Sequence, residues 1–203
     1  MSHENTVSIP SLLSPLHWRG IPQSWGLDRQ NVLSITAGQH TDWFIDPGGV
    51  ANVRNAPALL FNVQKPCQLK ARVTAAAAAR FDAGVLVVYH EDTIWAKLCL
   101  ELSPQGQLSI VSVVTKGVSD DCNSVPVPGN SIYLRIARLE RAYAFHYSHD
   151  ARTWNLVRYF SLGESQDAEI GFIAQSPVGE GCSASFSEIV YLPEKLNDIR
   201  SSD

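Results

Sequence analysis

The sequence predicts an all-β protein whose strands form two packed sheets or a barrel. Helical periodicity is scarce along the 203 residues, whereas short runs of Val, Ile, Leu and aromatic residues recur between clusters of Gly, Pro, Asn, Asp and Ser. With 45% hydrophobic and 18% charged residues, the chain is able to build one sizeable core. A single open sheet would leave one whole apolar face exposed, so we expect two layers or closure.

The predicted strands are separated by these turn-forming clusters. In chain order they are Asn31–Ala37, Ala58–Asn62, Cys67–Thr74, Ala83–His90, Thr93–Glu101, Leu108–Thr115, Ser131–Arg138, Ala142–Tyr147, Thr153–Tyr159, Ile170–Gln175 and Ala184–Tyr191. The alanine run 75–79 is too short to nucleate a helix and is expected to be a loop or a single turn. Without repeats or linkers, we expect one domain over 1–203, with a core over 16–191 and flexible tails at 1–15 and 192–203.

Composition excludes several function classes and predicts a location. The formal charge of -4 gives no electrostatic reason to expect nucleic acid or an anionic membrane as a partner. The N-terminal segment lacks a signal-peptide pattern and no stretch is long enough to span a membrane, so we expect a cytoplasmic protein. Because Cys67, Cys99, Cys122 and Cys182 lack paired spacing, we expect free and mostly buried thiols.

Alternation along three strands assigns their side chains to faces. Ile94, Ala96, Leu98 and Leu100 fall on a core face opposite Trp95, Lys97, Cys99 and Glu101. The same split separates Ile132, Leu134 and Ile136 from Tyr133, Arg135 and Ala137, and it separates Ile170, Phe172 and Ala174 from Gly171, Ile173 and Gln175. The mixed aromatic and polar face suits a polar ligand, although a solvated face with cross-strand charge pairs has the same pattern.

The segment from Ala144 to Phe160 is the most specific local pattern, an aromatic hairpin closed by the turn Ser148–Arg152. Asp150 is expected to accept hydrogen bonds from the turn amides, and the next residue, Ala151, is expected to need a positive φ. Glycine is the usual residue at such a position.

Several further segments accompany this hairpin in a fixed order along the chain: Trp18, Trp25, Thr41–Phe44, Asp82–Glu101, Ser112–Ser124, Tyr133–Arg138 and Gly171–Ile189. Over Leu16 to Tyr191 the chain resembles the largely uncharacterised bacterial and fungal family of concanavalin A-like proteins that includes the fungal protein named for regulation of enolase. The resemblance implies a jelly-roll sandwich of two curved antiparallel sheets, with a concave face that holds saccharide in lectin and glucanase relatives. It implies no activity, because one fold hosts many functions.

On this basis we expect a β-sandwich that binds a carbohydrate or a small polar metabolite in its concave groove without catalysis. The candidate ligand-binding residues combine apolar platforms with charged and amide groups: Trp95, Lys97, Glu101, Tyr133, Arg135 and Gln175. The Trp95 and Tyr133 rings are expected to stack on sugar C–H faces, and Lys97 and Arg135 to contact anionic or hydroxyl groups. Glu101 and Gln175 are expected to fix the orientation of the ligand.

Two alternative functions stay open at this stage. One is an interaction module that docks and regulates a metabolic enzyme, by analogy with the enolase-linked member of the family. The other is a glycoside hydrolase using Glu101 and Asp82, although the glucanase pattern Glu-x-Asp-x-x-Glu is absent. In a purely structural role, Glu101 neutralises Lys97 or an arginine, and Asp82 caps a turn.

No other motif supports an assigned catalytic, metal or cofactor site. There is no GxSxG nucleophile turn, and the loop acids Asp46, Asp120 and Asp121 lack the spacing of a calcium loop. We therefore expect no cofactor.

Overall fold

The computed structural model of the chain describes residues 6–12, 14–63, 66–163 and 167–200. These residues form two large antiparallel sheets and a separate two-stranded ribbon. The described residues contain no helix, and so none that is long and apolar enough to cross a bilayer.

The first sheet has eight strands. In spatial order they are β1 (Thr6–Val7), β2 (Leu16–Arg19), β7 (Ala58–Val63), β16 (Ala168–Gln175), β9 (Ala83–Glu91), β10 (Ile94–Leu102), β11 (Leu108–Lys116) and β12 (Val118–Pro126). Its sequential strands β9 to β12 form an antiparallel meander.

The second sheet has seven strands, and the ribbon has two. The spatial order of the second sheet is β15 (Asn155–Phe160), β14 (Tyr143–Ser148), β13 (Ser131–Arg138), β8 (Cys67–Ala76), β17 (Gly181–Leu192), β4 (Leu33–Gly38) and β3 (Ser24–Leu27). The ribbon consists of β5 (Trp43–Ile45) and β6 (Asn52–Arg54).

The main core lies between the two sheets and is built by alternation along the strands. The apolar residues assigned to the core faces of β10, β13 and β16 all belong to it, as the sequence predicts. Phe172 of the first sheet and Phe186 of the second are fully buried, with ring centroids 4.9 Å apart. Contacts of this kind join the layers and turn the alternating pattern into a sandwich.

The ribbon covers part of the outer face of the first sheet and creates a second, smaller core. Trp43 of β5 is 2% exposed and packs edge-on against Trp95 of β10, with ring centroids 5.7 Å apart. The Trp43 Nε1 group donates to the Ala56 carbonyl at 2.9 Å, so the buried indole is satisfied. Part of this face of the sheet is therefore a buried interface with the ribbon, and the remaining part is not covered by it.

The predicted all-β jelly-roll sandwich is confirmed, and each predicted strand is present. The strands that the sequence does not indicate are β1, β2, β3, β5, β6 and β12, which are short or mostly exposed. The alanine run differs from the expectation because Ala75 and Ala76 extend β8 and pair with β17.

The hairpin turn and the cysteines match their predictions. Asp150 Oδ1 accepts hydrogen bonds from the amides of Arg152 and Thr153, and Ala151 has φ 60°. All four cysteines are free, and only Cys122 is exposed.

The described parts of both tails pack on the sandwich. Thr6 and Val7 pair with β2, and Val7 and Ile9 are buried. At the other end, Leu196 is buried against the second sheet. Single apolar side chains in otherwise polar segments are enough to hold these residues on the sandwich.

A substitution of Gly171 tests the close packing of strands β7 and β16. A Cβ at this position would lie 1.9 Å from the Leu59 carbonyl oxygen, which is a backbone atom that cannot move aside alone. We expect Gly171→Ala to lower the free energy of unfolding by at least about 2 kcal/mol, measured by urea denaturation. Gly26→Ala is the control, because a Cβ there meets nothing within 4 Å. Equal denaturation midpoints for the two variants would contradict this packing.

Candidate functional site

A cavity of about 290 Å³ lies on the outer face of the first sheet, beside the ribbon. We call it the sheet cavity. Its polar lining consists of Asp42, Lys97, Glu101, Asp121, Asn123 and Gln175. Its apolar lining consists of Phe44, Phe81, Pro104, Val111 and Val113. This mixture of convergent polar groups and apolar walls is typical of a small-molecule site.

Strand register explains why distant residues meet in the sheet cavity. Lys97, Val113 and Asp121 form one row across β10, β11 and β12, because each is the direct pairing partner of the next. Gln175 and Glu101 are both paired with Ala83 on the intervening strand β9, from its two sides. Residues in such rows point to the same side of the sheet.

A buried ion pair is the centre of the sheet cavity. The Lys97 side chain is 2% exposed, and its Nζ donates to Asp42 Oδ1 and to Gln175 Oε1, each at 2.8 Å. Burial acts to lower the pKa of Lys97, but the charges of Asp42 and Glu101 and the hydrogen bond to Asp42 outweigh it and raise the pKa. Lys97 is therefore a charged donor at neutral pH.

Gln175 connects this ion pair to a strained backbone segment. Its Nε2 donates to the Phe81 carbonyl at 3.1 Å, which fixes the orientation of the amide. Phe81 has φ 71°, a left-handed conformation that is uncommon for a bulky residue. Such strain persists where surrounding contacts hold it, and it clusters at ligand sites. Here the strained residue itself lines the sheet cavity.

Glu101 is the titratable group of the sheet cavity. It is 9% exposed, and within the described part of the chain it takes part in no side-chain hydrogen bond or ion pair. Burial raises the pKa of Glu101 to about 7; Lys97 acts in the opposite direction, and the charges of Asp42 and Asp121 add to the rise. Near neutral pH the carboxyl group is thus present both as a donor and as a pure acceptor.

A larger and more open depression, of about 520 Å³, lies near Arg19, Tyr89 and Glu169. Several of its charged groups, among them Arg19, Asp92 and Glu169, already interact with neighbouring side chains. Glu169 lies 2.9 Å from His17 and 3.5 Å from Arg19, and the Tyr89 hydroxyl donates to Asp92 at 2.6 Å. The sheet cavity is the better candidate, because its polar groups face a space and one of them is buried and unpaired.

Comparison with known proteins defines the family. The family model described as "Protein of unknown function (DUF1349)" matches residues 18–193. The chain belongs to this family. The resemblance drawn from the sequence is thereby confirmed, since the chain is also similar to "Regulation of enolase protein 1" of Saccharomyces cerevisiae. The two are 30% identical over 119 residues, which is 58% of this chain and 59% of that relative.

Solved structures similar to this DUF1349 chain share its fold. One is a functionally unknown protein from Saccharomyces cerevisiae, with a TM-score of 0.80 and 23% identity over 87% of this chain and 95% of that chain. The GH43 protein BlXynB from Bacillus licheniformis has a TM-score of 0.71 and 15% identity, over 96% of this chain but 40% of that one. Carbohydrate binding module CBM66 from Bacillus subtilis has a TM-score of 0.53 and 8% identity, over 86% of this chain and 94% of that chain.

Three of the six predicted ligand-binding residues meet in the sheet cavity of the DUF1349 chain. They are Lys97, Glu101 and Gln175. Trp95 lies on the same side of the sheet but is fully buried beneath Trp43 and has no face left for a ligand. Its predicted stacking role is wrong because the ribbon covers it.

The predicted site does not include Tyr133 and Arg135 in the structure, because both lie far from the sheet cavity. Both lie on β13 of the second sheet, on its outer face and so on the opposite side of the sandwich. The Tyr133 hydroxyl donates to Glu188 at 2.9 Å, and the Arg135 guanidinium lies over Trp154. Alternation tells which side chains of one strand share a face, but it does not tell in which sheet the strand lies.

The structure contradicts the prediction that Asp82 acts as a second catalytic carboxylate. It is fully buried, and its Oδ2 accepts hydrogen bonds from the amides of Ala78 and Ala79, at 3.0 and 2.9 Å. Its Oδ1 accepts from the Ser176 hydroxyl at 2.7 Å. Both oxygens are used to hold a turn, so the structural role considered for Asp82 is the correct one.

Sequence reasoning missed Asp42, Phe44, Phe81, Asp121 and Asn123 as cavity residues. One signal was present: a lysine on a face with buried neighbours requires a carboxylate partner. The sequence does not show that Asp42 is this partner, because it lies 55 positions before Lys97.

The raised pKa of Glu101 predicts a pH dependence of stability. The folded state holds the proton up to about pH 7 and the unfolded chain only up to the ordinary value of 4.5, so stability falls as pH rises through this window. We expect wild type to lose on the order of 3 kcal/mol relative to Glu101→Gln between pH 4.5 and 8. Urea denaturation at each pH measures the difference in free energy of unfolding between the two proteins. The contributions of other titrating groups are common to both and cancel in this difference.

The control for this measurement is Glu140→Gln, which changes an exposed carboxylate. Its stability is expected to run parallel to that of wild type across the same pH range. Parallel curves for wild type and Glu101→Gln would contradict the raised pKa.

Proposed function

We propose that this protein binds a carbohydrate or another small polar metabolite in the sheet cavity, without catalysing its conversion. The observation that carries the proposal is the fixed pair Lys97 and Gln175 beside the unpaired carboxyl of Glu101, all facing one space. Each of these groups is buried at a free-energy cost that a stable fold does not need. A ligand that forms hydrogen bonds with these groups would offset this cost, which explains why the protein retains them.

The polar lining suits hydroxyl groups, which donate and accept at once. The Lys97 ammonium donates, the carboxylates of Asp42 and Asp121 accept, and the amide of Asn123 does both. A dense set of such groups is able to satisfy neighbouring hydroxyls of one sugar ring. Charged donors and acceptors also make these hydrogen bonds stronger than neutral ones.

The apolar lining suits the C–H face of a sugar ring. Phe44 and Phe81 are half-buried and line the sheet cavity, so they take the stacking role that the sequence assigned to Trp95 and Tyr133. A volume of about 290 Å³ lies at the lower end of the range for ligand pockets, which favours one small molecule over a long chain. The fold likeness to a carbohydrate binding module is consistent with this proposal. The cytoplasmic location stays part of the proposal and rests on the sequence alone.

A second function, from a different class, is regulation of a metabolic enzyme through direct binding. The name of the yeast relative, "Regulation of enolase protein 1", favours this function. It is compatible with the first, because a bound metabolite is able to signal the state of the pathway to a partner.

Filling the sheet cavity tests the first function. Val113 is 3% exposed and lines the cavity, so Val113→Phe is expected to occupy the space of the ligand. The probes are xylose, arabinose, glucose and glucose 6-phosphate in thermal-shift and calorimetric titrations. We expect at least one of them to stabilise wild type, by about 2.7 kcal/mol at a concentration of 100 Kd, and Val113→Phe to bind it at least about tenfold more weakly.

The matched control is Val118→Phe, which adds the same volume at a half-exposed position of the same sheet. It is expected to keep the affinity of wild type. A panel without any stabilising probe, or unchanged affinity in Val113→Phe, would contradict binding in the sheet cavity.

Sedimentation velocity tests the second function. Purified enolase from Saccharomyces cerevisiae is mixed with the protein at micromolar concentrations. A complex that sediments faster than either component is expected. Two independent boundaries at every mixing ratio would contradict direct regulation.

A further inference from the structure

A row of basic side chains crosses the outer face of the second sheet, far from the sheet cavity. Lys70, Arg135 and His146 are direct neighbours on β8, β13 and β14. The Trp154 ring lies over two of them, with Arg135 Cζ 4.5 Å and Lys70 Nζ 5.7 Å from its centroid. Adjacent basic groups repel each other. Arg135 has no carboxylate partner among the described residues, whereas Lys70 interacts with the charge of Glu194. We call this row of side chains the basic row.

Arg135 is the clearest sign that something binds here. It is 1% exposed, and its Nε and Nη2 atoms have no hydrogen-bond partner among the described residues. Burial lowers the pKa of Arg135 to about 10, and no carboxylate opposes this effect. Nε and Nη2 form one edge of the planar guanidinium, which offers two parallel donors to a group with two oxygens.

Two unused acceptors lie on the same face of the second sheet as these unused donors. His146 is fully buried, and its Nε2 donates to the Ile199 carbonyl at 2.9 Å, which makes Nδ1 of the neutral ring an acceptor. Neither this Nδ1 nor the Oε1 of Gln68, at 5% exposure, has a partner in the described part of the chain. The group that completes the cluster therefore needs oxyanion oxygens and a hydroxyl together.

We propose that the basic row binds inorganic phosphate. Two oxygens of hydrogen phosphate accept hydrogen bonds from the edge of Arg135, and the negative charge of the ion offsets the positive charge of Lys70. Its P–O–H group donates to Nδ1 of His146. Sulfate has the same shape but no hydroxyl at neutral pH, and chloride has neither feature, so both are poor substitutes.

The C-terminal segment 193–200 closes the site and controls access to it. It has no regular secondary structure, and most of its residues are exposed. Leu196 packs on Ala137 and Ala144, and Ile199 accepts the hydrogen bond from His146. Segments with so few contacts open locally at far lower cost than the whole fold, so phosphate enters when this segment lifts. The negative charge of Glu194, which lies in this segment, acts to raise the pKa of Lys70, against the lowering by burial and by Arg135.

Phosphate titration of wild type tests the specificity of the site. Sodium phosphate, sulfate and chloride are compared at pH 7.5 and constant ionic strength, by thermal shift and by calorimetry. We expect phosphate to raise the melting temperature and to bind at least tenfold more tightly than sulfate. No response to phosphate, or equal responses to the three anions, would overturn the proposal and leave water as the occupant of the cluster.

The variant Arg135→Met tests the residue that carries the proposal. It replaces an uncompensated buried charge with an apolar side chain of similar length, so the protein is expected to fold and to be at least as stable as wild type without phosphate. Its response to phosphate is expected to disappear. Arg72→Met is the control, since Arg72 is an exposed cation on the same face of β8, and this variant is expected to keep the response.

A second variant keeps the test valid if Arg135→Met does not fold. Lys70→Met changes a half-buried residue and is expected to weaken phosphate binding several-fold. Retained phosphate binding in both Arg135→Met and Lys70→Met, or in Lys70→Met alone where Arg135→Met is unfolded, would refute the proposed site.

Discussion

The buried ammonium of Lys97 is the constraint that organises the outer face of the first sheet beside the ribbon. A charge inside a sheet interface is tolerated only when it is paired and hydrogen-bonded, and here the partners are Asp42 and Gln175. Asp42 comes directly before β5, and its Oδ1 also accepts from the amide of Trp43. One carboxylate thus ties Lys97 to the start of the ribbon and seats Trp43 on the sheet. The sheet cavity is the space left beside this attachment, so the fold and the site share one interaction.

The two outer faces of the sandwich have the same design with opposite charge. On the first sheet, three acidic residues and one lysine line the sheet cavity, and the ribbon covers part of the face. On the second sheet, three basic residues share a row under Trp154 and a C-terminal segment. In each case a segment outside the two large sheets shields polar groups from water, which strengthens the electrostatic interactions between them. A jelly-roll sandwich is able to carry two distinct sites in this way, because its core lies between the sheets and leaves both outer faces free.

Much of the fold follows from the sequence, because alternation is a local property. The faces of β10, β13 and β16 were predictable, and with them the shared side of Lys97, Glu101 and Gln175. The order of strands in the sheets is not local, so the sequence does not show that β13, which carries Tyr133 and Arg135, lies in the other sheet. The ribbon was not predictable either, since strands of three residues show no periodicity. Its absence from the prediction explains why Trp95 looked accessible and why Asp42 was missed.

The distribution of unfavourable features indicates where function lies in this chain. Most of the main core is apolar and obeys local preferences, as expected for a sequence whose levels of structure agree. Around the sheet cavity these preferences are broken repeatedly: Phe81 has a left-handed backbone, and Glu101 holds a carboxyl group in a desolvated place. Each of these two features lowers stability. Because local rules fail mainly where a protein is shaped for something other than folding, their joint failure at one cavity argues for a binding site independently of any relative.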